Sequence, residues 1–495
     1  MKLLDMNNIM KRHLTFFLFI IMGITFAQEK QFITLQQAIA TAQEKSPDYK
    51  TLLNQNESSY WRFRNFKASF LPQLRLDATL PSYSNSINRI TNDSGEDIFV
   101  QTNQSRLEGI LSLNQNVALT GGTISLSSQV ERVDLYANDA SRFAIIPFSL
   151  NYRQNSLFYN PFKWDKKIEP LLYEEAKRAF IESMEQIALN TSRRYFALLK
   201  AQMQTKIAIQ NLSNQDTLFQ ISKGRFKMGK IAENDLLQIE LSVLNSKNNV
   251  TTNEISLKQS SQNLARYLEL DTENIILDIP KELSTFTVTV EKALEEANSN
   301  RKAVIEFRRK RLQAEQNLAE VKGDNRLSVR LNANFGISQQ GAVFNNLFED
   351  YNQQQRVTVS VGIPILDWGV SKSRRRLAEA NKDLVNNNVE QDEQEFEQEI
   401  YLHVLNWQNQ RNFLETAKKA QEIAVKRYEI TKKRFILGKI TITDLNIALQ
   451  EQDRSVLTFL NSLEKFWTDY YTLRRLTLFD FVKNKKIEVN DILYD

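Results

Sequence analysis

Cysteine is absent from the 495 residues of this chain, and histidine occurs only twice. Without cysteine the chain cannot form a disulfide, a thiolate nucleophile or a cysteine-bound metal site. His13 lies in a segment that we expect to be removed, which leaves His403 alone. Histidine-based metal binding or acid–base catalysis is therefore nearly excluded, and we expect no cofactor and no metal.

Glycine and proline are also scarce, with 13 and 8 residues. Both residues interrupt helices, so their scarcity in such a long chain favours long continuous helices. The net charge is only +5, and acidic and basic residues interleave along the helical stretches. Because no block of like charge resembles a nucleic-acid-binding surface, we expect no nucleic-acid partner.

The first 27 residues are typical of a secretory signal peptide. The basic "MKRH" precedes the apolar "LTFFLFIIMGITF", and small residues lead to a cleavage point after Ala27. This apolar stretch has about 13 residues, whereas a transmembrane helix needs about 20. No other stretch is apolar enough, so we expect that any entry of the mature chain into a membrane is as a β-barrel.

Two nearly identical glycine turns lie 209 residues apart, "RFKMGKIAENDLL" from Arg225 and "RFILGKITITDLN" from Arg434. Matches continue at the same offset after the turns, and a second block before them matches at an offset of 255 residues, which together indicate a tandem duplication. The first repeat is expected at 28–280 and the second at 281–482, followed by a tail at 483–495.

Each repeat is expected to run in the order helix, strands, long helical hairpin. Alternating apolar and polar residues predict strands at about 70–153 and about 326–366. Apolar residues spaced by three and four predict hairpins at about 168–270 and about 370–480. Thr34 is the expected N-cap of the opening helix.

The hairpins are expected to reverse near Gly229 and Gly438, because glycine readily adopts the left-handed conformation that ends many helices. Asp235 and Asp444 are expected near the start of the returning helices. Carboxylates at that position interact favourably with the helix dipole.

The predicted strands have one apolar face and one face with Arg, Asp, Asn and Thr, which suits lipid outside and water inside. Two strands per repeat give four per chain, too few to close around a channel. Several chains must therefore share one barrel. The segment "NQNVALTGGTISLSSQ" in the longer first repeat resembles a hairpin that either adds strands or forms a loop.

The duplicated plan, the opening "TLQQAIATAQEKSP", the "GIPILDWG" after the last strand and both "RFxxGKIxxxDL" turns together resemble the TolC-like outer membrane efflux proteins. The resemblance covers almost the whole mature chain. It implies an α+β fold, mostly α, in a homotrimer whose α-helical barrel joins a transmembrane β-barrel of twelve strands.

The resemblance further implies an outer membrane channel that extends into the periplasm. Such a channel is the exit duct of a tripartite efflux pump or a type I secretion system. It passively conducts substrates that an inner-membrane transporter exports through a periplasmic adaptor. No lipid anchor is expected, because the chain has no cysteine to carry one.

The resemblance also assigns roles to the turns. The adaptor-contacting residues would be Gly229, Lys230, Ile231, Gly438, Lys439 and Ile440. The polar contacts near the closable periplasmic aperture would come from Arg225, Asp235, Arg434 and Asp444.

Three other functions remain to be weighed. A periplasmic or surface coiled-coil protein would explain the helices but not the alternating strands. A pump adaptor without a membrane barrel would carry one hairpin and glycine-rich β-domains. An enzyme has the least support, because the neighbouring carboxylates of Glu174 and Glu175 face different directions on a helix and "GRFKMGK" lacks the spacing of a phosphate loop.

Overall fold

The computed structural model describes residues 31–271, 273–281, 286–325 and 327–488. The predicted signal peptide, residues 1–27, lies outside the described residues. The chain divides into two compact units. The hairpin unit contains the residues up to Asn54, Phe180–Arg301 and the residues from Gln398 onward. The sheet unit contains Gln55–Ala179 and Lys302–Glu397.

The described helices are α1 (Leu35–Lys45), α2 (Pro47–Ala68), α3 (Pro161–Lys227), α4 (Glu233–Leu268), α5 (Val290–Asn300), α6 (Lys302–Asp324), α7 (Val370–Ile436) and α8 (Ile442–Thr477). The described strands are β1 (Gln31–Ile33), β2 (Gln73–Thr91), β3 (Asp97–Val117), β4 (Gly122–Leu135), β5 (Ala140–Gln154), β6 (Ile275–Leu277), β7 (Ser328–Gly341), β8 (Asn352–Gly362), β9 (Phe479–Asp480) and β10 (Lys485–Lys486). Among the described helices, none is both long and apolar enough to cross a membrane.

The opening helix of each repeat is broken into two helices, which corrects the single helix expected from Thr34. Thr34 itself is confirmed as an N-cap, with a reciprocal capping box to Gln37. The chain breaks at Ser46, whose ψ of 154° is extended, because Pro47 lacks an N–H and crowds the residue before it. In the second repeat the break falls at Arg301, which is buried and forms an ion pair with Glu182 at 2.9 Å.

The long hairpins have matching helix lengths in the two repeats. α3 and α7 each contain 67 residues, and α4 and α8 each contain 36. α3 begins at Pro161, earlier than the expected start near residue 168, and Pro170 lies inside it. Proline at the first helical position costs nothing, since that N–H has no helical partner. The equal lengths fit the duplication inferred from the sequence.

One antiparallel sheet of six strands, in the order β2-β3-β4-β5-β7-β8, forms the sheet unit. The first repeat contributes four strands and the second contributes two. The expected total of four strands per chain is therefore wrong. The segment "NQNVALTGGTISLSSQ" forms the turn between β3 and β4, so it adds strands rather than a loop.

The sheet carries an apolar face across its width. The register aligns, in one row across five strands, Leu74, Leu113, Leu126, Leu150 and Phe335. All five side chains are substantially exposed, as are Leu76, Leu80, Leu111, Val130, Val357, Val359 and Val361 on the same face. The next row, on the other face, contains Arg75, Ser112, Ser127, Ser149, Gly336 and Gln354. An exposed apolar face of this extent needs a covering, and the described residues of one chain do not supply it.

The hairpin unit has its own core around a small parallel sheet of β1 and β6. Tyr195 is fully buried, and its hydroxyl lies 3.1 Å from the Ile33 carbonyl oxygen and 2.7 Å from that of Asp278. The Gln202 amide donates to the Ile275 carbonyl at 2.6 Å and accepts from the Leu277 N–H at 3.2 Å. These two side chains fix α3 against the sheet by satisfying backbone groups that would otherwise be buried without partners.

A charged cluster anchors the end of α8 in the same unit. The Arg474 guanidinium donates to both carboxylate oxygens of Glu185 at 2.7 Å and to Asp480 at 2.7 Å. The side chains of Glu185 and Asp480 are only 3% and 5% exposed. Bidentate geometry and mutual neutralisation allow these charges to be buried, and loss of one partner would leave the others uncompensated.

We predict that Glu185→Gln destabilises the hairpin unit by about 3 kcal/mol, because it removes the buried carboxylate that makes two hydrogen bonds to the largely buried Arg474. The measurement is the thermal midpoint of the purified protein, followed by tryptophan fluorescence from the nearby buried Trp467. The control is Glu269→Gln, which breaks an exposed ion pair to Lys50. That control is expected to cost less than about 1 kcal/mol. Equal shifts in the two variants would contradict a special role for the buried cluster.

Candidate functional site

The two glycine turns lie beside a shared apolar cluster, which brings together the ends of α3, α4, α7 and α8. We call this region, residues 218–240 and 428–449, the tip. Its buried members are Leu218, Ile239, Tyr428, Phe435, Ile442, Leu445 and Ala448. The cluster draws on both repeats, so each hairpin stabilises the end of the other.

Both turns are Schellman motifs. Gly229 has φ +69° and Gly438 has φ +72°, the left-handed conformation that the sequence predicts. The Gly229 N–H donates to the Phe226 carbonyl at 2.9 Å, and the Lys230 N–H donates to the Arg225 carbonyl at 2.9 Å. The same two bonds recur in the second repeat. The repeated "RFxxGK" therefore encodes one helix-ending geometry twice.

Arg225 links the two turns directly. Its Nη2 donates to the Ile436 carbonyl at 2.8 Å, and its guanidinium lies over the Phe435 ring at 5.9 Å from the centroid. The Ile436 carbonyl is among the last of α7, where a cation both completes a hydrogen bond and interacts favourably with the helix dipole. Arg434, its counterpart in the second repeat, is exposed. The equivalent arginines are thus in different environments.

Asp235 and Asp444 also differ. Asp444 lies in the first turn of α8 in a capping box, where its N–H donates to Thr441 Oγ1 at 3.2 Å and its carboxylate accepts from the Thr441 N–H at 3.1 Å. α4 has Ala232 at the corresponding N-cap position, without a side-chain cap. Asp235 is in the first turn of α4, as expected, but it is not part of a capping box.

The capping box acts on the charge of Asp444. The Thr441 hydroxyl, with its backbone N–H and the charge of Arg434, holds the pKa of Asp444 below its ordinary value. A carboxyl group whose pKa is lower in the folded state stabilises that state at pH values above its unfolded pKa of about 3.9. This stabilisation is lost as the pH falls through the folded pKa. Asp444 is therefore ionised at neutral pH and already engaged locally.

A polar layer that the sequence analysis missed adjoins the apolar cluster. Asn214 Nδ2 donates to the Tyr428 hydroxyl at 3.3 Å, and Lys432 Nζ donates to Asn214 Oδ1 at 3.0 Å. Asn211 donates to Asp453 at 2.7 Å. Burial, with neighbouring carboxylates, raises the pKa of Tyr428 to about 12. Asn211 and Asn214, three residues apart on α3, were the available signal for this layer.

The turns expose both charge and apolar surface. Lys230 and Lys439 are exposed, whereas Ile231 and Ile440 are half-buried and Ile440 packs on the apolar cluster. The residues just before the glycines, Met228 and Leu437, are 63% and 68% exposed. Such exposed apolar side chains beside a lysine suit contact with another protein. Within the described residues no group of three or more His, Cys, Asp or Glu could hold a metal ion.

Residues 326–477 match the family model of the outer membrane efflux proteins. Over about nine tenths of its length the chain also shares its fold with solved structures of outer membrane channels. No curated protein matches the chain by sequence.

Three solved structures illustrate the fold. The CmeC outer membrane channel of Campylobacter jejuni has a TM-score of 0.66 at 14% identity, over 92% of this chain and 87% of that one. The outer membrane protein VceC of Vibrio cholerae has a TM-score of 0.62 at 14% identity, over 92% of this chain and 97% of that one. The MtrE outer membrane channel of Neisseria gonorrhoeae, in its open state, has a TM-score of 0.58 at 13% identity, over 92% of this chain and 91% of that one. At these identities the likeness establishes the efflux-channel fold.

We predict that Ala232→Thr stabilises the start of α4 by about 1 kcal/mol, because it supplies the side-chain cap that α8 already has. The measurement is amide hydrogen exchange at residues 233–236, which should slow. Thr441→Ala is the reciprocal variant and should speed exchange at the start of α8 by a similar factor. Unchanged exchange in both variants would show that helix capping does not limit opening at the tip.

Proposed function

We propose that this protein is the outer membrane exit duct of a tripartite efflux pump or a type I secretion system. It conducts passively from the periplasm to the outside. The observation that carries the proposal is the exposed apolar face of the six-stranded sheet, combined with the paired long hairpins. Together they match a lipid-facing wall and a periplasmic extension.

Exposed apolar stripes in the hairpin unit support assembly from several copies. On α7, Leu402, Ile423 and Ile430 are exposed at intervals that are multiples of seven, and the exposed Leu437 just after the helix continues this spacing. On α4, Leu237, Leu241, Leu244 and Ile255 form a second exposed stripe. Heptad-spaced apolar residues pack helices side by side. The occupant that fits both stripes is a second copy of this chain, as in a closed helical barrel.

The sheet edges support the same assembly. β2 and β8 are the outer strands of the sheet, so each offers unpaired backbone groups. Such edges are not tolerated in lipid. If β8 of one copy pairs with β2 of the next, three copies close a barrel. At six strands per chain that homotrimer has eighteen strands, not the twelve implied by the resemblance.

The tip would face the partners in the periplasm. Gly229, Lys230 and Ile231, with the corresponding Gly438, Lys439 and Ile440, would contact the adaptor, and Met228 and Leu437 would add exposed apolar area. Arg225, Asp235, Arg434 and Asp444 would lie around the aperture. An inner-membrane transporter would supply the energy and select the cargo.

The sheet unit favours this function over the two structural alternatives. A coiled-coil surface protein would leave the wide apolar face of the sheet unexplained. A pump adaptor would leave the pair of equal hairpins, joined at one tip, unexplained. The duct uses both features, since lipid covers the apolar face and neighbouring copies cover the helical stripes.

We predict that Leu76→Cys combined with Val359→Cys allows a bismaleimide to join copies covalently into trimers, because β2 and β8 meet only between copies. The chain has no native cysteine, so no background removal is needed. The measurement is denaturing gel electrophoresis of outer membrane fractions after cross-linking. Leu126→Cys with Val359→Cys is the matched control, since Leu126 lies on the same face but on an internal strand. If the Leu76→Cys/Val359→Cys variant gave only monomers after cross-linking, closure of the barrel between copies would be contradicted.

We predict that Arg225→Ala raises the mean conductance of the reconstituted channel in planar bilayers. The variant removes the hydrogen bond to Ile436 that joins the two turns. For a half-exposed charged hydrogen bond worth about 1 kcal/mol, the ratio of open to closed channels should rise about fivefold. Arg434→Ala is the control and should change conductance less. A preparation that inserts as trimers but never conducts would contradict the duct itself.

A further inference from the structure

The polar face of the sheet is strongly unbalanced in charge. Its charged members on the six strands are the arginines Arg75, Arg106, Arg142, Arg153, Arg330 and Arg356 and the carboxylates Asp77, Glu108 and Glu131. Six arginines and three carboxylates give this face a net charge of +3 per chain. In the proposed duct this is the face that lines the water-filled lumen.

The carboxylates on this face are already engaged. Arg75 pairs with Asp77 at 2.6 Å, and Arg106 pairs with Glu131 at 2.9 Å. Glu108 accepts a hydrogen bond from Gln129 at 2.6 Å. The excess positive charge therefore resides in the remaining arginines.

Three of those arginines cluster on neighbouring strands. Arg153 on β5 lies opposite Asn332 on β7. On β7, Arg330 lies two residues before Asn332, and Asn334 lies two residues after it. Arg356 on β8 lies opposite Asn334. The three side chains thus occupy consecutive rows of one face, and strand geometry puts the Cα atoms of Arg153 and Arg330 about 8 Å apart.

No carboxylate faces this cluster within the described part of the sheet. The residues directly opposite the three arginines on the paired strands are neutral: Thr123, Asn332, Asn334 and Ser360. All three arginines are exposed. Arg153 and Arg330 lie near the end of the sheet where the strands connect to α3, α6 and α7, and Arg356 lies in the middle of β8.

Like charges on one face repel one another, so three neighbouring arginines without a carboxylate opposite them attract anions to that face. Three copies would bring nine guanidinium groups to a band of the lumen that is three residue rows deep. At physiological salt the screening length is about 8 Å, similar to the spacing between Arg153 and Arg330, so the fields of these two arginines overlap.

We propose that Arg153, Arg330 and Arg356 form a lumen-facing anion-selectivity ring, and that the cargo of this duct is predominantly anionic, such as organic carboxylates or phosphates. The inference rests on the proposed function, since it requires this face to line a pore. Rings of arginine or lysine select anions because they concentrate them and repel cations, and guanidinium groups bind carboxylate and phosphate oxygens in pairs.

The test is the reversal potential of the reconstituted channel under a potassium chloride gradient. The variant Arg153→Gln/Arg330→Gln/Arg356→Gln should lower the chloride-to-potassium permeability ratio about threefold at low salt, with a smaller effect at high salt. Inorganic tripolyphosphate should block the native channel and lose most of that block in the triple variant.

The control is Arg75→Gln/Asp77→Asn, which removes an ion pair from the same face without changing its net charge. It should leave the reversal potential and the tripolyphosphate block unchanged. Trimers on an unheated gel would establish that each variant assembles. A conducting triple variant with native selectivity and native block would overturn the selectivity ring. Native trimers that do not conduct would instead overturn the proposed duct.

Discussion

Unpaired backbone groups at the two sheet edges are the constraint on which the proposed assembly depends. β2 and β8 each present N–H and C=O groups that neither water nor lipid can satisfy inside a bilayer. The apolar row from Leu74 to Phe335 would place these edges in lipid. Only pairing with another copy satisfies both edges at once, so the covering of the apolar face and the number of copies have the same cause.

The tip, by contrast, is stabilised by contacts within one chain. The shared cluster around Phe435 and Ile239 and the Arg225 bond to Ile436 hold two hairpins together. Duplication gave both hairpins the same turn, but the arginine bond is made by the first and the capping box by the second. The two turns can therefore serve different roles at an aperture although their sequences nearly coincide.

Much of this fold could be predicted from the sequence, since glycine turns, helix stripes and strand alternation are local signals. Gly229, Gly438 and Thr34 behaved as their local chemistry requires. The strand number could not be fixed, because "NQNVALTGGTISLSSQ" is equally compatible with a loop until its pairing partners are known. The break at Arg301 has no proline signal, and the ion pair that this residue makes is with the distant Glu182. The contact of Arg225 with Ile436 joins residues 211 positions apart, so it too could not be predicted from the sequence.

The strand number has consequences for transport that follow from geometry. Barrel diameter grows roughly in proportion to strand number, and barrels of 16–18 strands leave an aqueous channel. A six-stranded contribution from each of three copies would therefore widen the lumen relative to a four-stranded one. A wide lumen discriminates poorly by size, which leaves charge as the main means of selection at that level. If the polar face of the sheet lines the lumen, its excess of arginine over carboxylate would supply this selection by charge.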